Sequence, residues 1–346
     1  MRILLDTTFA RRGPSGTGIY IERLAPALRD LGVEVVEAAN ERRRAPAGGG
    51  AGSWRNAAED RRWSAVELPR RARQAGARVI HHALPSAAPR FGAPVQVVTL
   101  HDLAFERLPE AFDPRFRAFA RRAHRAAARR AGAVVCVSRT TATDAVALWG
   151  VPPERIVVAP HGPGQEPPPR PDPPPVERHL LYVGDAEPRK NLDLLLAAYA
   201  RFRAGAGGSA EPPPLVLAGG AWTAGDGVRV EPDPSPARLA ELYAEAMALV
   251  HPALHEGFGM TALEAMHVGV PVLAARSPGV VETCADAAAY FDPRDPEALA
   301  DALARLVGDE AERRELARRG RERAGAFSWE RSARGHVEAY TLALER

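Results

Sequence analysis

Short apolar runs punctuate this chain at 2–5, 33–36, 78–81, 95–100, 133–137 and 156–159, and again at 179–183, 215–218, 248–251 and 270–274. Runs of this length, bounded by Gly, Pro or polar residues, read as strands buried on both faces. Between them lie segments whose apolar positions recur at helical spacing: 19–31, stopped by Gly32, then 114–131 and 140–149. These read as amphipathic helices. Strand and helix in alternation predict parallel sheets wound with helices, an α/β fold. The final stretch, FSWERSARGHVEAYTLALE, is amphipathic again and predicts a C-terminal helix.

The pattern breaks once, at PGQEPPPRPDPPPVE, residues 163–177. A proline-dense segment with almost no other apolar residue is stiff and extended and builds no core, so it reads as a linker. A length of 346 residues suits two domains. The expected division is a first domain at 1–163, a linker at 164–178, a second domain at 179–327 and a terminal helix at 328–346. Residues 42–52, rich in Arg, Gly and Ala, read as a mobile loop.

Composition narrows the class. Hydrophobic content of 46% with 26% charged residues is globular. No apolar run reaches the roughly 18–20 residues that span a bilayer. The opening MRILLDTTF reads as a first strand without the longer apolar region of a signal peptide, so the expected compartment is the cytoplasm. Cys136 and Cys284 fall in different halves and in apolar surroundings, which speaks against a disulfide scaffold. A formal charge of +3 in an arginine-biased chain gives no argument for a nucleic-acid partner.

The densest chemistry lies in HPALHEGFGMTALEAMHVGVPVLAA, residues 251–275. It sets Glu256 and Glu264 around a Gly257–Phe258–Gly259 loop that enters a short helix ending at Gly269. A helix N-terminus at Met260 and Thr261 offers unpaired N–H groups and a positive dipole end, which suit a phosphate. The glycines let a ligand approach that backbone. The plainer reading is a loop–helix–strand unit with Glu256 capping the helix and Glu264 solvated. In LLYVGDAEPRKNLDLLLAAYARF, residues 180–202, Arg189 and Lys190 follow a strand and precede a helix. Two cations there suit a diphosphate, the arginine as a bidentate fork and the lysine as a point charge.

Three further segments carry polar residues at strand ends. Gly16 and Gly18 lie between the first strand and first helix; a third glycine at position 21 would make a dinucleotide fingerprint, but Ile21 stands there. His101 and Asp102 follow the strand of TLHDLAF, where open α/β sheets bind ligands, although Asp102 equally suits a helix cap. His81 and His82 end another strand, and no motif singles out either. Ser138 suits a helix N-cap. The chain holds no H-E-x-x-H, no D-x-D, no G-x-S-x-G and no C-x-x-C, so neither a metal nor another cofactor is expected.

The E-x7-E stretch, with its EGFG loop, LEAM helix and VGVPV strand entry, resembles the signature of retaining nucleotide-sugar glycosyltransferases of the GT-B type, in the family 4, mannosyltransferase-like group. The HDL and EPRKN segments resemble the same group, and the likeness extends over nearly the whole chain, weakest at 37–77. It implies two Rossmann-like domains facing each other across a cleft, with the C-terminal helix crossing back to the first. It implies a metal-independent hexosyltransferase whose substrate is a nucleotide-diphosphate sugar. GDP-mannose is the favoured donor and a UDP-sugar the next; the acceptor would be a glycan, a lipid-linked acceptor or a small molecule. The catalytic set carried over is Glu256, His101, Arg189 and Lys190. The donor-binding set is Glu264 for the ribose, then Gly257, Phe258, Gly259, Met260, Thr261, Gly16, Gly18 and Gly184. The leaving phosphate would accept the acceptor's proton in a same-face displacement.

The chain departs from the pattern in two places: Asp185 follows Gly184 where many relatives carry arginine, and His161-Gly162 stands where the usual pattern is Asn-Gly. A nucleotide-sugar epimerase of the same fold and a catalytically silent partner subunit are the alternatives. The arginine-rich segment FRAFARRAHRAAARR, residues 116–130, has two readings, a solvated face or a peripheral contact with anionic lipid at the inner face of a membrane.

Overall fold

The computed structural model describes residues 1–12, 15–43, 51–85, 94–165, 178–205, 211–220 and 222–346. The chain divides into two compact units, 1–164 with 328–346, and 165–327. Of the proline-rich linker, residues 166–177 lie outside the described residues, as do 44–50 of the expected loop.

In chain order the first unit holds β1 (Arg2–Asp6), α1 (Gly16–Asp30), β2 (Glu34–Ala38), α2 (Ala51–Arg62), α3 (Leu68–Gln74), β3 (Val79–His82) and β4 (Val95–Leu100). It continues with α4 (Ala104–Arg107), α5 (Pro114–Arg130), β5 (Ala133–Cys136), α6 (Arg139–Trp149) and β6 (Ile156–Val158). The second unit holds β7 (His179–Gly184), α7 (Leu192–Gly205), β8 (Leu215–Gly219), β9 (Val228–Pro232), α8 (Pro236–Glu245), β10 (Ala246–His251) and α9 (Met260–Val268). After them come β11 (Val272–Ala275), α10 (Pro278–Cys284), β12 (Ala288–Phe291), α11 (Pro296–Gly308) and α12 (Glu310–Ala324). The last helix, α13 (Trp329–Leu344), belongs to the first unit.

Each unit is built on one six-stranded parallel sheet, ordered β2-β1-β3-β4-β5-β6 and β12-β11-β10-β7-β8-β9. The structure adds what the pattern of apolar runs did not show. β9, with the sequence VRVEP, is an edge strand interrupted by charge, and β12, AAYF, is short and alanine-rich. Helix α2 starts at Ala51, inside the stretch read as a loop.

Helix starts follow local chemistry. Ser15, Ser138, Ser235 and Ser328 accept first-turn N–H groups of α1, α6, α8 and α13, and Asp113, Asp295 and Asp309 do the same for α5, α11 and α12. Each such cap offsets orphan donors at a gain of about 1 kcal/mol. α3, α4 and α10 start without a side-chain cap, and so does α9, whose N-cap is Gly259 in the left-handed region.

In the first unit α1 and α13 pack their apolar faces on one side of the sheet, burying Tyr20, Leu24, Leu28, Ala333, Tyr340 and Ala343 with Leu5, Val97 and Val135. α13 lies close: a Cβ on Gly132 would come 3.0 Å from Ala343 Cβ. The opposite face buries Leu4, Ile80, Trp63 and Leu68 under α3 and the turn before it. Period-two alternation therefore sends His81 and His82, adjacent on β3, to different layers.

Candidate functional site

In the second unit the two cations of the EPRKN turn meet the first of the two carboxylates, Glu256, on the loop after β10. Asn191 takes a left-handed conformation after the 188–190 turn, and its Nδ2 donates to the carbonyls of Pro252 (3.2 Å) and Pro293 (2.8 Å). Leu254 N donates to Arg189 O at 2.9 Å. The EPRKN turn is thus clipped to the loop that follows β10.

This clip carries Lys190 Nζ to 2.5 Å from Glu256 Oε1, and Arg189 Nη1 to 3.3 Å from the same oxygen, while Arg189 Nε pairs with Glu187 Oε2 at 2.6 Å. Glu256 is 9% exposed. Burial alone pushes its carboxyl up, but Lys190 and Arg189 outweigh that, and the net result is a fall to about 2. The carboxylate is ionised throughout the neutral range. Beneath the loop, a Cβ on Gly279 would come 2.1 Å from Glu256 O, so only glycine fits there. Thr283 Oγ1 donates to Phe258 O at 2.5 Å, fixing the loop from the α10 side.

The N-terminus of α9 is left without a side-chain cap, and Met260 and Thr261 are partly exposed there. About one turn into the helix Glu264 is 3% exposed. Its Oε1 accepts from Gln165 N at 3.1 Å and its Oε2 from the Tyr243 hydroxyl at 2.7 Å. Glu256 is no cap and Glu264 is not solvated, so the plainer reading of this stretch does not describe what forms. Gly184 ends β7 against Gly219 of β8, where a Cβ on Gly219 would lie 2.3 Å from Gly184 O. Asp185 is exposed, and its carbonyl accepts from Tyr182 Oη at 3.2 Å.

The first unit holds the remaining candidates. Gly18 N donates to Ser15 Oγ at 3.0 Å in the cap of α1, and the space a Cβ would fill at Gly16 is open. Asp102 Oδ1 accepts from Ala104 N at 2.9 Å, a turn-forming role. Ser138 caps α6 by accepting from Thr141 N at 3.0 Å. His101 Nε2 donates to Ala83 O at 3.0 Å, because a carbonyl only accepts. Its Nδ1 is therefore the lone-pair side, and it accepts from His161 Nε2–H at 3.3 Å. Both ring nitrogens of His101 are engaged, and burial holds the ring neutral. Acting as a base would require His101 to release His161.

Beside this pair runs a buried polar chain that the motifs did not signal. His336 Nδ1 donates to Ser332 O at 2.7 Å, so its Nε2 accepts from Tyr20 Oη, also at 2.7 Å. Tyr20 Oη lies 2.9 Å from Thr99 Oγ1, which lies 2.8 Å from His81 Nε2, and His81 Nδ1 meets Tyr340 Oη at 2.8 Å. Running from Tyr340 through His81, Thr99 and Tyr20 to His336, each hydroxyl or ring N–H has one acceptor. Tyr20 also packs edge-on to His101 with centroids 4.9 Å apart, and His161 stacks on Trp329 at 5.5 Å. His82 faces the other layer, with Nε2 3.1 Å from Gln96 Oε1. His81 and His82 are both fully buried.

Among the described residues no group of three or more His, Cys, Asp or Glu side chains is placed to hold a metal, and no helix is long and apolar enough to cross a membrane.

Comparison with known proteins accounts for both halves of the chain. Residues 14–163 match the family model described as Glycosyltransferase Family 4, and residues 169–323 match Glycosyl transferases group 1. O-antigen chain mannosyltransferase B of Escherichia coli is 33% identical over 186 residues, 47% of this chain and 46% of that protein. A D-inositol 3-phosphate glycosyltransferase of Segniliparus rotundus is 32% identical over 184 residues, 49% of this chain and 41% of that protein. The chain spans less than half the length of these curated relatives in the match. Among solved structures, sucrose-phosphate synthase from Thermosynechococcus elongatus superposes with a TM-score of 0.78 at 21% identity, covering 99% of this chain and 98% of that one. HepE of Anabaena, solved with UDP-glucose, gives 0.72 at 18% identity, covering 99% of each chain.

Proposed function

This chain belongs to the family 4 glycosyltransferases of the GT-B fold, and from that premise we propose that it transfers a sugar from a nucleotide-diphosphate donor with retention at the anomeric carbon. GDP-mannose is the favoured donor and UDP-sugars come next; a mannosyltransferase among the relatives supports the first, and a UDP-glucose complex among the structural neighbours supports the second. The observation that carries the reading is the ionised Glu256, held between Lys190 and Arg189 beside the uncapped N-terminus of α9.

The barrier lies in parting the sugar from a doubly charged diphosphate. Lys190, Arg189 and the amides around Gly259, Met260 and Thr261 stabilise the charge that develops on it, and do so without reorganising at the moment of reaction. Glu256 meets the donor sugar's hydroxyls and the electron-poor ring, and Glu264 holds the ribose. Proton release from the acceptor falls to the leaving phosphate, since both nitrogens of His101 are taken up within its own unit. No metal enters the proposal.

For the acceptor we favour a glycan or lipid-linked sugar. Helix α5 supports a membrane contact: Phe116 and Phe119 are 44% and 57% exposed, beside the exposed Arg115 and Arg122. Cations with aromatic side chains on one exposed helix suit anionic headgroups. Flotation with vesicles of anionic against neutral lipid checks this, and equal recovery in both would remove the membrane.

The donor test is a thermal-shift screen of GDP-mannose, UDP-glucose and UDP-N-acetylglucosamine, followed by NMR of the anomeric proton in the transfer product. Stabilisation by no donor, or a product of inverted configuration, would overturn the reading.

A further inference from the structure

The proposed ribose ligand is held in place by a residue that no motif marks. Tyr243 lies near the end of α8 and is fully buried. Its hydroxyl proton has two acceptors in reach: Glu264 Oε2 at 2.7 Å and Thr261 O at 3.4 Å. One O–H serves one acceptor well, and the short contact to a charged oxygen wins. The second oxygen of Glu264 receives Gln165 N, from the residue at which the second unit begins. Donors from two separate parts of the unit therefore fix both the reach and the plane of one carboxylate. A glutamate side chain otherwise has several rotamers to lose before it binds anything.

Burial, and then the neighbouring Glu264, hold the phenol of Tyr243 well above its ordinary range, so it remains a donor wherever the protein is folded. A phenylalanine would fill the same apolar space, so it is the carboxylate that gives the hydroxyl its purpose. The phenol is fully buried, so its hydroxyl acts on a ligand only through the carboxylate.

We propose that Tyr243 is a positioning residue for donor recognition, setting the carboxylate of Glu264 in the orientation that receives the ribose hydroxyls of the donor nucleotide. This rests on the glycosyltransferase reading of the same site. A carboxylate has about four lone-pair directions, so being held by two donors is compatible with taking up hydroxyls.

The experiment is a double-mutant cycle on the full chain, read by calorimetry with GDP and UDP as probes. Tyr243→Phe is expected to weaken the preferred nucleotide by about tenfold, the worth of one positioning hydrogen bond to a charged group. Glu264→Gln should weaken it at least as much. The double variant should lose no more than Glu264→Gln alone, because Tyr243 acts through Glu264. Glu264→Asp, which withdraws the carboxylate by one methylene, should also lose affinity and serves where Tyr243→Phe fails to fold. A lowered melting temperature with unchanged nucleotide affinity in Tyr243→Phe, or losses that simply add in the double variant, would overturn the proposal and leave the glycosyltransferase reading intact. Wild-type affinity in Glu264→Gln would overturn both.

Discussion

Lys190 and Glu256 stand 66 residues apart in the sequence, and their side chains meet at 2.5 Å. Neither position is set by its own helix or strand. Lys190 is placed by the left-handed turn at Asn191, and Glu256 by a loop pressed against Gly279. The pair is therefore a property of how two loops are clipped together, and the ion pair and the loop geometry depend on each other. A buried carboxylate keeps its charge here only because two cations face it.

Replacing Arg189 and Lys190 together by Ala should lower turnover by several orders of magnitude. Two or three charge-assisted contacts at about 1.5–3 kcal/mol each are lost from the leaving group. The same variant leaves Glu256 buried without its cations, which costs about 3–5 kcal/mol of stability, so turnover must be measured well below its melting temperature. Adding Glu256→Gln to that variant should restore stability without restoring transfer. Near-normal transfer in the double variant would remove both cations from the mechanism.

The two glutamates should fail in different ways. Glu256→Gln keeps the size and removes the charge facing the ring, so kcat should fall more than donor KM rises. Glu264→Gln should chiefly weaken the free nucleotide diphosphate. Steady-state kinetics with calorimetry separate these outcomes, and the reverse division would mean that the roles are exchanged.

Transfer should persist in excess EDTA, because the cations for the diphosphate are supplied by Arg189 and Lys190. An assay of nucleotide release with and without chelator decides it. Complete loss that manganese restores would show that the charge is neutralised by a metal instead.

The regular part of the fold was legible because buried parallel strands are written as unbroken apolar runs. β4, with its run VQVVTL, has the boundaries expected from such a run, and β7 and β8 differ from theirs by one residue. β9 escaped because an edge strand needs to bury little and alternates charge with valine. At the site, the motifs brought Glu256, Arg189, Lys190 and Glu264 into view, but their partners were not legible. Tyr243 sits at an ordinary apolar position of α8, and the sequence spacing carries no sign of the carboxylate it meets. Tyr20 and Tyr340 likewise fall at core positions of α1 and α13, where an aromatic reads as packing. Which polar atom a buried tyrosine finds is decided by tertiary structure alone.

Acid should weaken the docking of α13 before it affects the carboxylates of the second unit. Burial holds His336 down at about 4 and His81 well below its ordinary 6.5. Both rings are neutral when folded and take up protons when unfolded, so their contribution is fully present above pH 6.5 and lost as pH falls toward 4. His336 contributes about 1.4 kcal/mol per pH unit in that window, so it alone should cost about 2 kcal/mol by pH 5, and His81 shifts stability in the same direction. Glu256, with its folded value near 2, loses its contribution only below the ordinary carboxylate range, so the two effects are separable. Hydrogen exchange of the α13 amides at pH 7.5, 6.0 and 5.0 gives a local readout in a two-unit protein. Tyr20→Phe removes the donor facing His336 Nε2 and should cost about 1–3 kcal/mol at pH 7.5. It also removes the donor that would oppose a protonated His336, so its exchange should change less with pH than that of the wild type. Parallel pH curves for the two proteins would mean that His336 does not sense acid through Tyr20.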